Sequence, residues 1–274
     1  MAVSIQDIAK LRKMSGAGMM DCKKALEESN GDFDKAMEII RKKGQAVAAK
    51  RSDRDAAEGC VLAAEQDGFA ALVALNCETD FVAKNQEFID LTQNILNVAM
   101  DKKPTSKEEL LASTFADGRS IQDHITDRIG VTGEKMEIGA YEFVNGATSV
   151  SYIHPGNKLA TIVAFNETVD HQVARDIAMQ VAAMNPLGIT SEDVSQEVKD
   201  RELEIARDKA REAGKPENLI DRIAEGSLQK FFKENTLLQQ EFVKNNKETI
   251  EQYLHSQSKT LSVVAFRRFT LNAE

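Results

Sequence analysis

The sequence predicts an α+β chain in which small antiparallel sheets are covered by helices. Three observations point there. Hairpin signals at Asp67-Gly68 and Asn145-Gly146, and a Pro155-Gly-Asn157 turn, adjoin short apolar runs, the usual way of joining antiparallel strands. Elsewhere apolar residues recur at three- and four-residue spacing, as in helices with one buried face. Finally, Val73-Ala-Leu-Asn76, followed by acidic residues and an amphipathic helix, is answered about 90 residues later by Val163-Ala-Phe-Asn166, so two related subdomains are expected.

Three short helical patterns open the chain. Ile5, Ile8, Ala9, Leu11 and Arg12 begin the first, and Gly16-Ala-Gly18 ends it. The second carries Met19, Cys22 and Leu26 and stops at Asn30-Gly31; Asp32 caps a third that turns Phe33, Ala36, Met37 and Ile40 inward. Residues 1–54 thus read as a three-helix module with a polar, Ala-rich linker from Gly44 onward. Arg41, Lys42, Lys43, Lys50, Arg51 and Arg54 lie there, and they read as a helix end and solvated linker rather than an RNA contact, because cations favour a helix C-terminus.

Residues 55–140 form the first core subdomain, with a helix burying Phe88, Leu91, Ile95, Leu96 and Ala99, a second helical pattern around Ile121, Ile125 and Ile129, and an extended run at 135–144. Residues 141–274 form the second, whose helix carries Val173, Ile177, Ala178, Val181 and Ala182. An antiparallel helical arm is expected at about 191–233, with Val194, Val198 and Ile205 facing Leu219, Ile223, Ala224 and Leu228 across a break at Ala213-Gly-Lys-Pro216. A helix over 241–257 and a strand over 261–270 close the prediction.

Composition narrows the function. A formal net charge of −9 disfavours nucleic acid, which needs clustered Lys and Arg, so a protein partner is expected. No apolar run approaches the roughly 20 residues that span a bilayer, and Met1-Ala-Val-Ser-Ile-Gln-Asp7 lacks the basic and apolar regions of a signal peptide; a cytoplasmic protein with no membrane contact is expected. Cys22, Cys60 and Cys77 form no CxxC pair and read as free thiols. The histidines, His124, His154, His171 and His255, sit in unrelated contexts and no GxSxG motif occurs, so neither a covalent catalyst nor a cofactor is expected.

The most informative stretch is Val73-Ala-Leu-Asn-Cys-Glu-Thr-Asp-Phe-Val-Ala-Lys-Asn85, an apolar strand running into a helix start. Phe81 lies seven residues before Phe88, so periodicity alone leaves it either in the core or held outward at the turn. The second repeat reads Glu167-Thr-Val-Asp170 at the matching point, so the fold of the repeat does not require the Asp-Phe step.

Thr79-Asp-Phe-Val-Ala-Lys-Asn85 resembles the signature of the elongation factor Ts family, the nucleotide exchange factors of elongation factor Tu. Ser15-Gly-Ala-Gly-Met-Met-Asp-Cys-Lys-Lys-Ala-Leu26, followed by Asn30-Gly-Asp32, matches the family's N-terminal module, which is itself similar to ubiquitin-associated domains. The resemblance implies a guanine nucleotide exchange factor in translation elongation. Its site would be Thr79, Asp80, Phe81 and Val82, acting on the Mg²⁺ of elongation factor Tu, with Leu11, Met19 and Met20 on an exposed docking loop. Tyr152-Ile-His154 resembles the stretch that reaches a second domain of the partner, which makes His154 either a binding residue or a surface histidine beside a turn. It also implies the coiled-coil arm, and it leaves a dimeric complex open. Longer members of the family carry a further helical module that clasps the partner. A protein-interaction adaptor built on the N-terminal helices is the alternative, and it leaves residues 55–274 without a role.

Overall fold

The computed structural model describes residues 3–272. Helix α1 (Ile5–Ser15) begins where the Ser4 hydroxyl accepts from the Asp7 amide and ends at Gly16 in the left-handed region, φ 69°. Helix α2 (Met19–Glu28) stops before Asn30 and Gly31, which turn the chain at φ 53° and 86°. Asp32 then caps α3 (Phe33–Arg51), accepting from the amides of Asp34 and Lys35. Ile8, Leu11, Ala17, Cys22, Ala25, Leu26 and Ala36 form the core of this three-helix module.

Strands β1 (Glu58–Gln66) and β2 (Phe69–Cys77) are joined by Asp67 and Gly68, both at positive φ, as a tight two-residue turn demands. The chain continues through α4 (Asp80–Ala83), α5 (Gln86–Lys102), α6 (Lys107–Ala112), α7 (Ile121–Thr132) and β3 (Met136–Asn145). The first sheet runs in the order β1-β2-β3. After β4 (Thr148–Ile153) and β5 (Leu159–Phe165) come α8 (His171–Met184), α9 (Gln196–Glu212), α10 (Glu217–Asn235), β6 (Glu241–Phe242), β7 (Asn245–Thr249), α11 (Ile250–Gln257) and β8 (Val263–Thr270). Helices and small antiparallel sheets together make the α+β fold expected from the sequence.

Two compact units divide the chain: Met1–Leu62, Val73–Tyr141 and Leu271–Glu274 in one, Ala63–Leu72 and Glu142–Thr270 in the other. In the first, α3 packs along α7. The stretch expected to be a linker is therefore largely helix: α3 continues through a buried Gly44 as far as Arg51. The reason is a close crossing, since a Cβ on Gly130 of α7 would lie 2.6 Å from the Gly44 Cα. In the second unit, β5 pairs with β4 through Val163↔Val150 and with β8 through Val163↔Phe266, both antiparallel. Helix α8 packs on β4 and β5 and buries Val173, Ala174, Ile177, Ala178 and Val181 against Phe165, Leu237, Leu254 and Val263.

Three expectations are corrected here. Asn145-Gly146 does not close a hairpin: neither residue has positive φ, and the strands on either side belong to different sheets. Residues 241–257 are not one helix but the hairpin β6–β7 followed by α11, which starts at a Thr249–Gln252 capping box. The hairpin is held by buried polar groups, Asp176 accepting from Lys244 Nζ at 2.6 Å and Gln180 Oε1 accepting from the Val243 amide at 2.9 Å. In the α9–α10 arm the inward residues are Ala206, Ala210, Ile220 and Ala224, while Ile205 and Leu219 stay exposed. Val194 and Ala224 are buried as expected, but at Ile205 and Leu219 the seam passes to the next residue, Ala206 and Ile220, because small alanines let the two helices approach.

Candidate functional site

The Thr79 turn is built by two successive caps. Thr79 is the N-cap of α4, in extended conformation at φ −126° and ψ 154°, and its hydroxyl accepts from the Val82 amide at 3.4 Å. Six residues after Thr79, Asn85 caps α5 by accepting from the Glu87 amide at 2.9 Å. The second cap interrupts the helix and resets its phase. Phe81 and Phe88 consequently part company: Phe88 is fully buried, whereas Phe81 is 84 % exposed. Ala83 is buried and Val82 half-buried, which anchors the turn from below.

Carboxylates hold the turn from the side. Glu134, just beyond the Gly133 cap of α7, accepts from the Thr79 hydroxyl at 2.7 Å through one oxygen and from the Thr79 amide at 3.1 Å through the other. Glu78 returns the arrangement: it accepts from the Lys135 amide at 2.7 Å and from the Arg51 guanidinium at 3.3 Å. Charge-assisted hydrogen bonds of this kind are roughly twice as strong as neutral ones. Sequence reasoning missed Glu78, Glu134 and Arg51, because the partners are 27 to 57 residues apart and none sits in a recognisable spacing.

Asp80 is half-buried and lies beside Lys84, 2.6 Å away, and that carboxylate raises the lysine pKa above its ordinary value. An exposed pair one helical turn apart contributes little, because solvent screens it. Beneath the turn, the Cys77 thiol donates to the Thr79 carbonyl at 3.2 Å, and burial, reinforced by the Glu134 charge, pushes its pKa up to about 12. All three cysteines are buried thiols outside any disulfide.

The other candidate residues are placed as follows. Met19 and Met20, in the first turn of α2, are 47 % and 64 % exposed. Leu11, expected on the surface with them, is instead fully buried, because α1 turns it into the three-helix core together with Ile8. His154 is exposed at the end of β4, its Nδ1 3.0 Å from the Tyr152 hydroxyl, and belongs to the other compact unit. Thr79 to Val82, Met19 and Met20 thus share one unit, and His154 lies outside it.

A family model described as Elongation factor TS matches residues 78–273. Elongation factor Ts of Porphyromonas gingivalis is 78 % identical over 274 residues, all of both chains. That of Azobacteroides pseudotrichonymphae is 53 % identical over 275 aligned residues, again all of both chains, and that of Christiangramia forsetii is 47 % identical over 98 % of each. Among the described residues no helix is long and apolar enough to cross a membrane. On a family match that covers most of its length and on full-length identities of this size, the chain belongs to the elongation factor Ts family of translation elongation factors.

Proposed function

We propose that this protein is the guanine nucleotide exchange factor of elongation factor Tu and that the turn from Thr79 to Val82 is the part that acts on the nucleotide site. The observation carrying this reading is Phe81, 84 % exposed at the tip of a doubly capped turn. Fully burying such a side chain is favourable by roughly 1.5–3 kcal/mol, a gain left unrealised in the free protein and available on binding. Elongation factor Tu holds GDP through loop amides and a Mg²⁺ that bridges phosphate oxygens and protein ligands. Insertion of Phe81 beside that metal offsets displacement of the side chains that orient it, and Asp80 accepts hydrogen bonds from donors so released. No covalent chemistry is involved. Met19 and Met20 add docking area on the N-terminal module, and His154 is a further contact on a second domain of the partner. With Leu11 buried, the docking surface is narrower than the sequence suggests.

Stopped-flow release of a fluorescent GDP from elongation factor Tu tests the reading. Wild type should accelerate release, and Phe81→Ala should lose about 10- to 100-fold of that acceleration, the rate equivalent of the Phe burial energy. Its unfolding midpoint should match wild type, because the side chain touches solvent rather than core. Unchanged acceleration by Phe81→Ala would remove the turn from the mechanism.

A further inference from the structure

We propose that Glu134 is a positioning residue for nucleotide exchange, holding Asp80 and Phe81 outward through Thr79. The inference rests on the reading of the turn given above and adds to it a residue far away in sequence. A single carboxylate takes both donors of Thr79, the hydroxyl at 2.7 Å and the amide at 3.1 Å. Because the hydroxyl proton is committed to Glu134, a lone pair of the same oxygen is left facing the Val82 amide. Release of Glu134 frees the hydroxyl to rotate, and the cap that sets the first turn of α4 goes with it.

The support is itself held. Glu134 follows the left-handed Gly133, at φ 74°, its own amide donates to the Thr132 hydroxyl at 3.3 Å, and the next residue, Lys135, donates its amide to Glu78 at 2.7 Å. Residues 78–79 and 134–135 are thereby tied at two points by opposed carboxylates, which opposes rocking of the turn about either one. Arg51, in the last turn of α3, adds a third tie through Glu78. An aromatic ring that finds no core contact needs such a frame, since a loose turn would let it fold back on nearby apolar surface and lose the geometry in which it inserts.

The test uses the full chain and elongation factor Tu loaded with fluorescent GDP, with release followed up to saturating concentrations of wild type, Glu134→Ala, Glu134→Gln, Phe81→Ala and the Phe81→Ala/Glu134→Ala double variant. Glu134→Ala should lower the limiting release rate roughly tenfold, the effect of losing a charge-assisted hydrogen bond. The half-saturating concentration should stay within about twofold, because the docking surface is untouched. Glu134→Gln should fall in between: its amide oxygen still accepts from one Thr79 donor while its NH₂ opposes the other. The decisive readout is the double variant, which should be no slower than Phe81→Ala alone, since a residue that acts through Phe81 has nothing left to position.

Undiminished loss from Glu134→Ala in the Phe81→Ala background would overturn the proposal. So would a Glu134→Gln variant, folded by circular dichroism, that matches wild type; this variant carries the test should Glu134→Ala fail to fold. Wild type that does not accelerate release would overturn the exchange reading and this proposal with it. Wild type that does, with Glu134→Ala equal to it, would overturn only the role of Glu134.

Discussion

Single residues in this protein take their roles from breaks in periodicity. Seven-residue spacing puts Phe81 and Phe88 on one face only if one helix joins them, and the caps at Thr79 and Asn85 show that it does not. Both caps are readable as side-chain types in the sequence, yet which of several polar residues interrupts a helix is decided by what else each one can bond. Leu11 fails in the opposite sense: expected at the exposed docking loop, it lies within α1 and packs into the three-helix core. Cys77, directly under the turn, gives a prediction at this scale. Its thiol is raised from 9.0 to about 12, so folding favours the protonated form. The stability contributed by that difference is complete below pH 9.0 and is lost as pH rises through about 12, because above 9.0 the unfolded chain binds fewer protons than the folded one. In urea titrations the advantage of wild type over Cys77→Ala should shrink as pH climbs above 9.0; a constant difference would mean that the folded thiol ionises as easily as an unfolded one.

At the scale of elements, the crossing of α3 and α7 ties the N-terminal module to its own compact unit. Gly44 and Gly130 meet backbone to backbone, and neither has positive φ, so close approach rather than chain conformation is what calls for glycine. Two effects oppose one another in Gly130→Ala. Helix propensity favours alanine by about 1 kcal/mol. Overpacking of a tight contact costs about 1–3 kcal/mol, and here the obstacle is the Gly44 Cα, 2.6 Å from the new methyl group, which can move only by shifting the helix. A net loss of up to about 2 kcal/mol is therefore expected in urea unfolding. A gain in stability would show that the helices stand further apart than described. The α9–α10 arm differs in kind. It packs chiefly on itself, with Arg207 paired to Asp221 at 2.8 Å across the seam, and its narrow alanine stripe could not have been phased from apolar residues alone.

For the whole molecule, the proposed exchange is a matter of linkage. If the protein lowers the nucleotide affinity of elongation factor Tu by some factor, the nucleotide must lower its affinity for elongation factor Tu by the same factor, so it should bind best to the empty partner and be expelled by GDP or GTP. If Phe81 and Asp80 act by disturbing Mg²⁺, the acceleration over spontaneous GDP release should be large in millimolar Mg²⁺ and smaller in EDTA, where the metal's contribution is already gone. The Phe81→Ala deficit should largely disappear in EDTA as well. Equal acceleration in both buffers, by wild type and variant alike, would mean that the turn works on the phosphate or base side of the nucleotide.

Local chemistry carried much of this protein in its sequence. The stops at Gly16 and Asn30-Gly31, the Asp67-Gly68 turn, the cap at Asp32, the repeat of strand and helix, and the Asp-Phe step present in one copy only are all written in neighbouring residues, whose effects act over a single turn of chain. What tertiary structure alone decided is long-range. The passage of α3 through Gly44, the burial of Leu11, the separate sheets on either side of Asn145-Gly146 and the paired carboxylates that frame Thr79 each depend on groups brought together from far along the chain. A carboxylate 55 residues away leaves no mark on the spacing around Thr79, because a hydrogen bond constrains two positions in space and nothing between them in sequence.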